Sequence, residues 1–349
     1  MVAFAGWSLP VQYPAGIMAE HMACRDGAAM FDVSHMQQVA LRHPDGVPSA
    51  AEALERLVPG GIATLKPGQA RYTQFTDAAG GILDDLIVSH AGDHLYLVVN
   101  AARAEHDLAH LAAGLAGSGV TVTPLDRALL ALQGPKAEAI LAPLVPEIAP
   151  LVFMQTLAVD RDGLAVRVSR LGYTGEDGFE ISAPVEAAEA LARALIDGGA
   201  QPAGLGARDS LRLEAGLCLY GQDIDTTTTP IEAGLAWSIP KRRREGAGFP
   251  GAATILDQLR DGPPRRLVAI LPEGRAPARA GTEIHVGGRA VGTVTSGGFG
   301  PSVGGPVALG YVPAALSDPG TALDLMVRGT PRPARIENSP VIAHRYKRA

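Results

Sequence analysis

The sequence predicts an α+β protein of more than one domain, with a β-rich domain at its C-terminal end. In the first two-thirds of the chain, short strand patterns alternate with amphipathic helical patterns. From Arg265 onward the pattern changes to short β segments separated by glycines, which is typical of a small barrel or sandwich. At 349 residues the chain is also too long for one ordinary hydrophobic core. We therefore expect an α+β body followed by a β-rich domain, with the boundary within residues 246–264.

Apolar residues that alternate with polar ones, or that form short runs, predict the strands. The Ala-Gly-Asp segment at residues 91–93 is the expected turn of a hairpin. The predicted strands cover residues 38–42, 71–77, 81–89, 95–100, 128–133, 166–171, 178–182, 267–271, 283–286, 290–294, 307–312 and 323–327, with one more near Val120.

Helical periodicity and end signals predict the helices. Residues 48–58 carry an apolar face. Pro135 suits the first turn of a helix because its missing N–H would have no partner there. Pro184 opens a helix that stops at the glycine pair Gly198 and Gly199. The other predicted helices cover residues 101–115 and 205–214.

Composition places the chain among globular proteins. Hydrophobic residues make up 47% and charged residues 19% of the sequence, which is not a disordered composition. No apolar run is long enough for a membrane helix and no basic-then-apolar leader opens the chain, so we expect a cytoplasmic protein. The net charge of −6 argues against nucleic acid as the main partner.

The cysteines and the basic residues add two further expectations. Cys24 and Cys218 are far apart and have no neighbouring thiol, which argues against a disulfide scaffold and a multi-cysteine metal cluster. Residues 241–244, Lys-Arg-Arg-Arg, form a dense basic run. We expect a solvated loop there, and the alternative is a surface that steers an acidic partner or holds a polyanionic tail.

Asp84 and Asp85 are the strongest local anomaly in the sequence. They lie between apolar residues in a predicted strand, where adjacent side chains point to opposite faces, so at least one carboxylate is expected to face a buried side. Aspartate is depleted in strands and costly to bury unless it is paired. The pattern favours a functional carboxylate over a frayed strand end, but it does not say which aspartate points inward.

Two more charged residues stand in unexpected places. Glu180 falls within the strand that follows a glycine-rich turn, where a solvated loop acid would not normally lie. Arg208 is near the start of the predicted helix over 205–214 and can anchor an anion, with a surface ion pair as the ordinary alternative. Asp209 stands where a dinucleotide-binding fingerprint needs its third glycine, so this is not such a fingerprint.

Several catalytic signatures are missing from the sequence. His106 and His110 have metal-ligand spacing, but Asp107 stands where a zincin needs its glutamate, so both histidines are expected to be solvated. No Walker loop and no Gly-x-Ser-x-Gly elbow is present. The residues alone therefore indicate a carboxylate-bearing α+β enzyme with an anion-binding arginine and no metal.

Eight short motifs, in order along nearly the whole chain, carry a family resemblance. They are Phe-Ala-Gly-Trp at 4–7, Phe-Asp-Val-Ser-His-Met at 31–36, Gly-Gly-Ile-Leu-Asp-Asp-Leu-Ile-Val at 80–88, Val-Val-Asn at 98–100, Gly-Tyr-Thr-Gly-Glu at 172–176, Gly-Ala-Arg-Asp-Ser-Leu-Arg-Leu-Glu-Ala-Gly at 206–216, Leu-Tyr-Gly-Gln at 219–222 and Val-Thr-Ser-Gly at 294–297. Together these motifs resemble the T-protein, or aminomethyltransferase, family of the glycine cleavage system.

The resemblance implies a folate-binding aminomethyltransferase body of two interleaved α+β subdomains over 1–255, and a C-terminal β-barrel domain over 256–349. Folate would lie in a central hole where the domains meet. The donor would be the lipoyl-bound aminomethyl group of a separate acidic carrier, the H-protein. Its methylene passes to tetrahydrofolate, giving 5,10-methylenetetrahydrofolate, ammonia and dihydrolipoyl H-protein. The resemblance implies no metal, flavin or nicotinamide, and no nucleic acid or membrane as a partner.

The same resemblance assigns roles to single residues. Asp84 matches the catalytic aspartate, Glu180 matches the acid that pairs with the pterin edge, and Arg208 matches a folate contact. The remaining positions that match the folate pocket are Met36, Tyr96, Val98, Asn100, Trp237 and Tyr346. For Met36 and Val98, plain core packing is an equal alternative.

Two other functions stay open at this point. One is a folate-dependent demethylase of sarcosine-like or sulfur-methyl substrates, and the other is a non-catalytic folate-binding or repair protein. Glu180 and Arg208 could bind folate in either of these proteins as well as in an aminomethyltransferase, so they do not distinguish the three functions. The Asp84 motif and the lack of room for a flavin domain favour glycine cleavage, and so does Leu219, which replaces a cysteine of a related iron–sulfur cluster protein. Family members usually carry a short segment before Phe-Ala-Gly-Trp, so we expect a start further upstream or a trimmed first element.

Overall fold

The computed structural model describes residues 1–161 and 163–348. Within these residues the strands, in chain order, are β1 (Val2–Phe4), β2 (Trp7–Leu9), β3 (Ala29–Asp32), β4 (Gln37–Arg42), β5 (Ala70–Thr76), β6 (Ile82–His90), β7 (Leu95–Val99), β8 (Thr121–Leu125), β9 (Ala128–Gln133), β10 (Gln155–Arg161), β11 (Leu164–Arg170), β12 (Gly178–Ala183), β13 (Gln201–Pro202), β14 (Arg265–Pro272), β15 (Glu283–Val286), β16 (Arg289–Gly300), β17 (Gly305–Pro313), β18 (Ala322–Val327) and β19 (Thr330–Glu337). The α-helices of the same residues are α1 (Ile17–Asp26), α2 (Val47–Leu54), α3 (Ala104–Gly114), α4 (Ala137–Leu141), α5 (Val185–Asp197), α6 (Leu205–Glu214), α7 (Lys241–Gly246) and α8 (Ala252–Asp261). None of the described helices has the length and apolar character needed to cross a bilayer.

The paired aspartates lie in a five-stranded antiparallel sheet with the order β5-β6-β7-β4-β8. The hairpin turn between β6 and β7 is closed by a hydrogen bond from Ala91 N to His94 O of 2.9 Å, as the sequence predicts. One face of the sheet packs against α2 and α3. Leu54 of α2, Val88 of β6 and Leu111 of α3 belong to this buried core.

A second sheet of six strands has the order β10-β11-β12-β9-β3-β13 and is antiparallel except for the β3–β13 pair. Helices α4 and α5 cover one face, where Leu141, Phe179 and Leu195 are buried together. Between the two sheets lies a third buried cluster, which joins Tyr96 of β7 to Ala131 of β9 and to helix α6. This junction brings β6, β7, β12 and α6 close to one another.

The C-terminal strands form a closed barrel in the order β14-β17-β16-β15-β18-β19. Its interior is filled by apolar side chains such as Ile270, Ile284 and Leu325. Helix α6 packs on the outside, where Leu213 meets Val307 and Leu309. The strand pattern of the sequence did not distinguish a barrel from a sandwich, and the structure shows a barrel.

Several elements differ from the sequence prediction for physical reasons. The α2 helix ends at Leu54 rather than at residue 58, and Pro135 precedes α4 by two residues. Helix α1 was not predicted because its buried face carries polar residues, including Glu20 and Arg25, and so lacks an apolar stripe. Strand β19 was missed because it contains prolines. Proline is tolerated in a strand only at positions where the backbone N–H is not needed for hydrogen bonding to the neighbouring strand. The segment 246–264 contains α8, and the division at residue 255 stays a prediction.

The basic run at 241–244 is helical and not a loop, and three of its four residues are exposed as expected, whereas Arg243 is not. It forms the start of α7, and Arg243 is buried. Arg243 Nη2 donates to the backbone oxygens of Glu55, at 2.5 Å, and Val58, at 3.0 Å. Arg242 pairs with the Glu55 carboxylate, and Arg244 Nε donates to Ile239 O at 2.6 Å. Backbone carbonyls and the buried Glu55 carboxylate thus satisfy the Arg243 guanidinium, which the sequence alone places in solvent.

Candidate active site

The start of β6 is anchored to a neighbouring loop, which fixes the position of the aspartates. The backbone N–H of Ile82 donates to Asp225 O at 3.1 Å and to Thr228 O at 3.0 Å. A Cβ on Gly81 would lie only 2.0 Å from Thr226 O, so the close approach of the two backbones requires glycine at this position. The Gly-Gly motif therefore serves to seat β6 against the loop.

The register of the β5–β6 pair shows which aspartate points inward. Across the β5–β6 pair, Phe75 lies opposite Asp84 but Thr76 lies opposite Ile82, so Leu83 is an extra residue. Asp84 has no exposed surface and shares its face with the core residues of the first sheet. Asp85 is half-buried on the opposite face. The structure answers the question that periodicity left open.

Asn100, directly after β7, connects the two carboxyl groups. Its Nδ2 atom lies 3.0 Å from Asp84 Oδ1 and 2.9 Å from Asp85 Oδ1, and its backbone nitrogen lies 3.4 Å from Asp84 Oδ2. The Asn100 amide therefore orients both acids at once, and its assignment to the folate pocket stays a prediction.

The surroundings make both aspartates weak acids. Burial raises the pKa of Asp84 far above the usual range, and contact with Asp107 raises it further. Burial and then the Asp84 charge raise the pKa of Asp85, although hydrogen bonds from Tyr72 and Asn100 oppose this. A carboxyl group that keeps its proton near neutral pH can donate it as well as accept it, which is what general acid–base catalysis requires.

Asp107 is the main residue of this site that the sequence analysis missed. It is fully buried on α3, and after burial it contributes most to the raised pKa of Asp84. The sequence analysis used Asp107 only to argue against a zincin motif. A signal was available, because Asp107 precedes Leu111 by one helical turn and so shares its core-facing side.

The two histidines on α3 were expected to be solvated, which is only partly correct. His106 is partly exposed, and its Nδ1 lies 3.1 Å from Asp107 Oδ1. His110 is half-buried, and its ring meets that of Phe75 edge-on with the ring centroids 4.9 Å apart. Its Nε2 atom is buried without a hydrogen-bond partner among the described residues, so the expectation for His110 was wrong.

The other half of the site is formed by β12 and α6. Burial raises the pKa of Glu180 on β12, and the Arg208 guanidinium opposes this rise. Arg208 stacks over the ring of Tyr173 at 4.9 Å, and its Nη1 is buried without a partner in the described part of the chain. Burial raises the pKa of Tyr173, the Arg212 and Arg208 guanidiniums oppose this rise, and the Asp85 carboxylate adds to it, so Tyr173 feels charges from both halves.

His35 is a second residue that the sequence analysis quoted within a motif but gave no role. It is buried beside Arg208, and burial followed by the arginine charge lowers its pKa to about 4. The imidazole is therefore neutral at physiological pH. Its Nδ1 has no partner within residues 1–161 and 163–348, so His35 and Arg208 together present two unsatisfied polar atoms.

The apolar positions matched to the folate pocket all lie in the cluster between the sheets. Tyr96 and Val98 are buried there, and Met36 packs against them. The Tyr96 hydroxyl donates to Gln38 Oε1 at 2.9 Å, and Arg167 lies 5.3 Å above its ring. Burial raises the pKa of Tyr96 and the Glu180 carboxylate raises it further, which puts Tyr96 near that acid. Contact of the three side chains with folate stays a prediction.

The two remaining aromatic candidates occupy separate places. Trp237 is 65% exposed and stacks on Tyr72 with ring centroids 5.4 Å apart, and the Tyr72 hydroxyl lies beside Asp85. Tyr346 stacks on Phe153 at 3.9 Å, at the edge of the second sheet. Trp237 is thus linked to Asp85 through Tyr72, whereas Tyr346 contacts Phe153. Both assignments stay predictions.

Comparisons with known proteins agree with this architecture. A family model described as the GCVT N-terminal domain matches residues 1–243, and one described as the glycine cleavage T-protein C-terminal barrel domain matches residues 265–342. The chain is 47% identical over 356 residues to the mitochondrial aminomethyltransferase of Homo sapiens, which covers 99% of this chain and 87% of that protein. It is 44% identical over 358 residues to that of Mesembryanthemum crystallinum, with coverages of 99% and 86%. The crystal structure of glycine cleavage system aminomethyltransferase T from Bartonella henselae matches with a TM-score of 0.94 at 45% identity, covering 99% of this chain and 95% of that one.

Proposed function

The chain belongs to the glycine cleavage T-protein family, and from this premise we propose which of its residues carry out the family's reaction. The family consists of aminomethyltransferases that use tetrahydrofolate as a substrate within the glycine cleavage system. The proposal places Asp84 at the reaction centre and assigns tetrahydrofolate to Glu180 and Arg208. The proposed donor is a lipoylated H-protein that carries the aminomethyl group on its lipoyl sulfur.

The proton balance of this reaction defines what the protein must do. Tetrahydrofolate supplies the N5 and N10 nitrogens that take up the methylene, and each nitrogen loses one proton. The sulfur of the lipoyl arm gains one proton, and the departing amine gains the other and leaves as ammonium. No electrons are exchanged and no net proton is released. The site therefore has to move protons between atoms of the two substrates.

Asp84 is suited to this task because it is buried and weakly acidic. A buried carboxyl group accepts a proton from one substrate atom and returns it to another without exchange with bulk water. In its ionised form it also stabilises positive charge that develops on nitrogen. Asn100 holds the carboxyl in place, which avoids reorganisation during the reaction. Positioned general acid–base groups contribute about 10²–10⁴-fold to a rate.

Glu180 and Arg208 suit the two ends of a folate. A carboxylate accepts two donors from the amidine-like edge of a pterin, and hydrogen bonds to charged groups contribute about 1.5–3 kcal/mol each. A guanidinium pairs with carboxylates at the other end. The unsatisfied Nη1 of Arg208 and Nδ1 of His35 support a polar ligand here, because buried polar atoms normally have partners.

The observation that carries the proposal is the fully buried Asp84 carboxyl, held by Asn100 at 3.0 Å. The test is formation of 5,10-methylenetetrahydrofolate from tetrahydrofolate and aminomethyl-loaded H-protein, measured with wild type and Asp84→Asn. We expect turnover by wild type and its near-complete loss in the variant. Equal turnover by both proteins would remove Asp84 from the reaction centre. Turnover with free aminomethyl-lipoate at the same efficiency would remove H-protein as the required donor.

We propose in addition that the protein acts in the cytoplasm, on the basis of the sequence alone. The relatives named above are mitochondrial by their printed names, and that location belongs to those proteins. Cell fractionation with an antibody against this chain is the direct measurement. Recovery with membranes or in an organelle would overturn the proposed location.

A further inference from the structure

Residues 344–347, which we call the C-terminal strap, cross the glycine-rich turn between β11 and β12. The backbone nitrogen of Arg345 donates to Gly175 O at 2.8 Å. Two positions later, the backbone nitrogen of Lys347 donates to Asp177 Oδ1 at 3.2 Å. The strap therefore follows the turn over several residues and bonds to its backbone as well as to one of its side chains.

The side chain of Arg345 anchors the strap to buried groups. Its Nη2 atom donates to Glu176 Oε1 at 2.6 Å and to the backbone oxygen of Arg25 at 2.8 Å. Arg25 in turn donates to Glu176 Oε1 at 2.6 Å and to Thr174 O at 2.9 Å. Glu176 and Arg25 are buried, whereas the Arg345 side chain is 51% exposed. Arg345 thus completes, from the surface, a ring of charge-assisted hydrogen bonds around the turn.

The middle of the turn depends on such contacts for its shape. Thr174 Oγ1 donates to Gln133 Oε1 at 2.9 Å near one end, and Arg170 Nε donates to Asp177 Oδ1 at 3.0 Å at the other. Between them, Gly175 has a φ of 78°, in the left-handed region. Glycine adopts this conformation freely but also leaves it freely, since it has no side chain to restrict its backbone. The strap therefore fixes the most adaptable part of the turn.

The turn leads to both residues of the proposed folate site. Tyr173 lies at its start, and the Arg208 guanidinium lies 4.9 Å from the centroid of the Tyr173 ring. The Tyr173 hydroxyl donates to Cys218 O at 2.5 Å, which holds the ring from its far end. Glu180 lies on β12, the strand that the turn leads into. A displaced turn would therefore shift the support of Arg208 and the start of the strand that carries Glu180.

We propose that Arg345 is a positioning residue for tetrahydrofolate binding, which acts through the C-terminal strap and the glycine-rich turn to hold Tyr173 against Arg208. The inference rests on the proposed function of Glu180 and Arg208. Arg345 acts without touching folate, by keeping the site in its binding geometry before the ligand arrives. Without this anchor the turn has to be ordered on binding, and that cost lowers the affinity.

The test compares Arg345→Ala and Arg345→Lys with the control Arg348→Ala, which removes an exposed arginine from the same segment. Calorimetric titration should show tetrahydrofolate binding about 10-fold weaker in Arg345→Ala, the size expected for one lost charge-assisted hydrogen bond. At saturating tetrahydrofolate, kcat should stay within about 2-fold of wild type, because the lost interaction is one of binding. Arg345→Lys should recover most of the affinity, since lysine keeps a cation beside Glu176. Arg348→Ala should bind like wild type.

Two further comparisons separate positioning from a direct contact with folate. The loss in Arg345→Ala should be equal for monoglutamyl and polyglutamyl tetrahydrofolate. A loss confined to the polyglutamyl form would show that Arg345 binds the tail itself, which overturns the proposal. In a double-mutant cycle with Tyr173→Leu, the two losses of affinity should be less than additive, because both substitutions act through the same turn. Full additivity also overturns the proposal.

The remaining outcomes distinguish this inference from the proposed function. If Glu180→Ala binds tetrahydrofolate like wild type, the proposed function itself fails. If Glu180→Ala binds weakly while Arg345→Ala binds like wild type, only the role of Arg345 is overturned. A lower melting temperature in Arg345→Ala with unchanged folate affinity overturns it too, since that result indicates a merely structural contact.

Discussion

The amide nitrogen of Asn100 lies 3.0 Å from Asp84 Oδ1 and thereby ties the end of β7 to the buried carboxyl of β6. The same nitrogen reaches Asp85 Oδ1 at 2.9 Å, so one side chain orients two acids that point to opposite faces of a strand. In the β5–β6 pair Asp84 lies opposite Phe75 and Asp85 lies opposite Gln74, so the two carboxyl groups alternate in direction. The geometry separates the acids by environment: Asp84 belongs to the core side and Asp85 to the Tyr72 side. Their substitution should therefore have different consequences.

The first prediction concerns turnover. Asp84→Asn should keep tetrahydrofolate affinity within a few-fold but lose most activity, because an amide preserves shape and removes the charge and the basicity. Asp85→Asn should have a milder effect, since that carboxyl faces the other side of the strand. The measurement is steady-state production of 5,10-methylenetetrahydrofolate together with calorimetric folate affinity. Full and equal activity in both variants would contradict the assignment.

The second prediction concerns folate affinity. Glu180→Ala should weaken tetrahydrofolate binding about 10-fold or more, because charged hydrogen bonds of about 1.5–3 kcal/mol each are lost. Glu186→Ala, an exposed acid on the following helix, is the matched control and should bind normally. Titration calorimetry is the measurement. Unchanged affinity in Glu180→Ala would remove this residue from the site.

The third prediction concerns the folate tail. Arg208→Ala should also weaken binding, and the loss should be larger for a folate with additional glutamates if Arg208 faces that end. The ring of Tyr173 would lose its cation–π partner as well, so thermal unfolding is checked in parallel. Arg56→Ala, which removes an exposed arginine, controls for the change in net charge. Equal affinity losses for monoglutamyl and polyglutamyl folate would place Arg208 away from the tail.

The sequence indicated these residues to different degrees, and the reasons are physical. Glu180 and Asp84 could be recognised because an acid in an apolar strand conflicts with its surroundings. Asp107 and His35 could not be assigned roles so readily, since the charged groups that influence them, Asp84 and Arg208 respectively, are distant in the chain. The local sequence pattern identifies a residue that is unusual for its position. Only the folded structure shows which other residues it contacts.

The fold shows the same division. Helix α6 was predicted with the observed bounds, because its apolar face and glycine start are local signals. Helix α1 was not, because its buried side chains include Glu20, His21 and Arg25, whose partners lie on α6, on strand-flanking loops and near Ser302. Buried charges that are satisfied by distant groups look like surface residues in a sequence. The buried Arg243 of α7 was misjudged for this same reason.

The fourth prediction concerns that arginine. Arg243→Gln should destabilise the protein by about 1–3 kcal/mol, because the buried carbonyls of Glu55 and Val58 lose their donor. Thermal unfolding is the measurement. A stable Arg243→Gln protein, with the melting temperature of wild type, would contradict the structural role.

Substitution of the exposed Arg242 and Arg244 together by glutamine is the test of electrostatic steering towards H-protein. The effect of this double substitution on the rate should fade as the salt concentration rises. The measurement is the reaction rate against H-protein concentration.

The last prediction concerns Glu214, whose carboxylate is fully buried where α1, α6 and the barrel meet. Its oxygens lie 3.1 Å from His21 Nε2, 2.9 Å from Arg25 Nη2 and 2.8 Å from the backbone nitrogen of Ser302. Burial alone would raise its pKa, but the hydrogen bonds from His21, Ser302 and Arg25 outweigh burial and lower the pKa to about 2.

Because the folded pKa of Glu214 lies below the ordinary value of 4.5, the carboxylate contributes stability above that value and loses it as the pH falls towards 2. Glu214→Gln should therefore destabilise the protein strongly at pH 7, by about 3–5 kcal/mol, since Arg25 loses one of its buried partners. The difference in melting temperature between wild type and variant should narrow as the pH is lowered from about 5 to about 3. Glu186→Gln, on an exposed helix face, should show no such trend. A difference between wild type and Glu214→Gln that stays constant over this range would show that the Glu214 charge does not stabilise the fold.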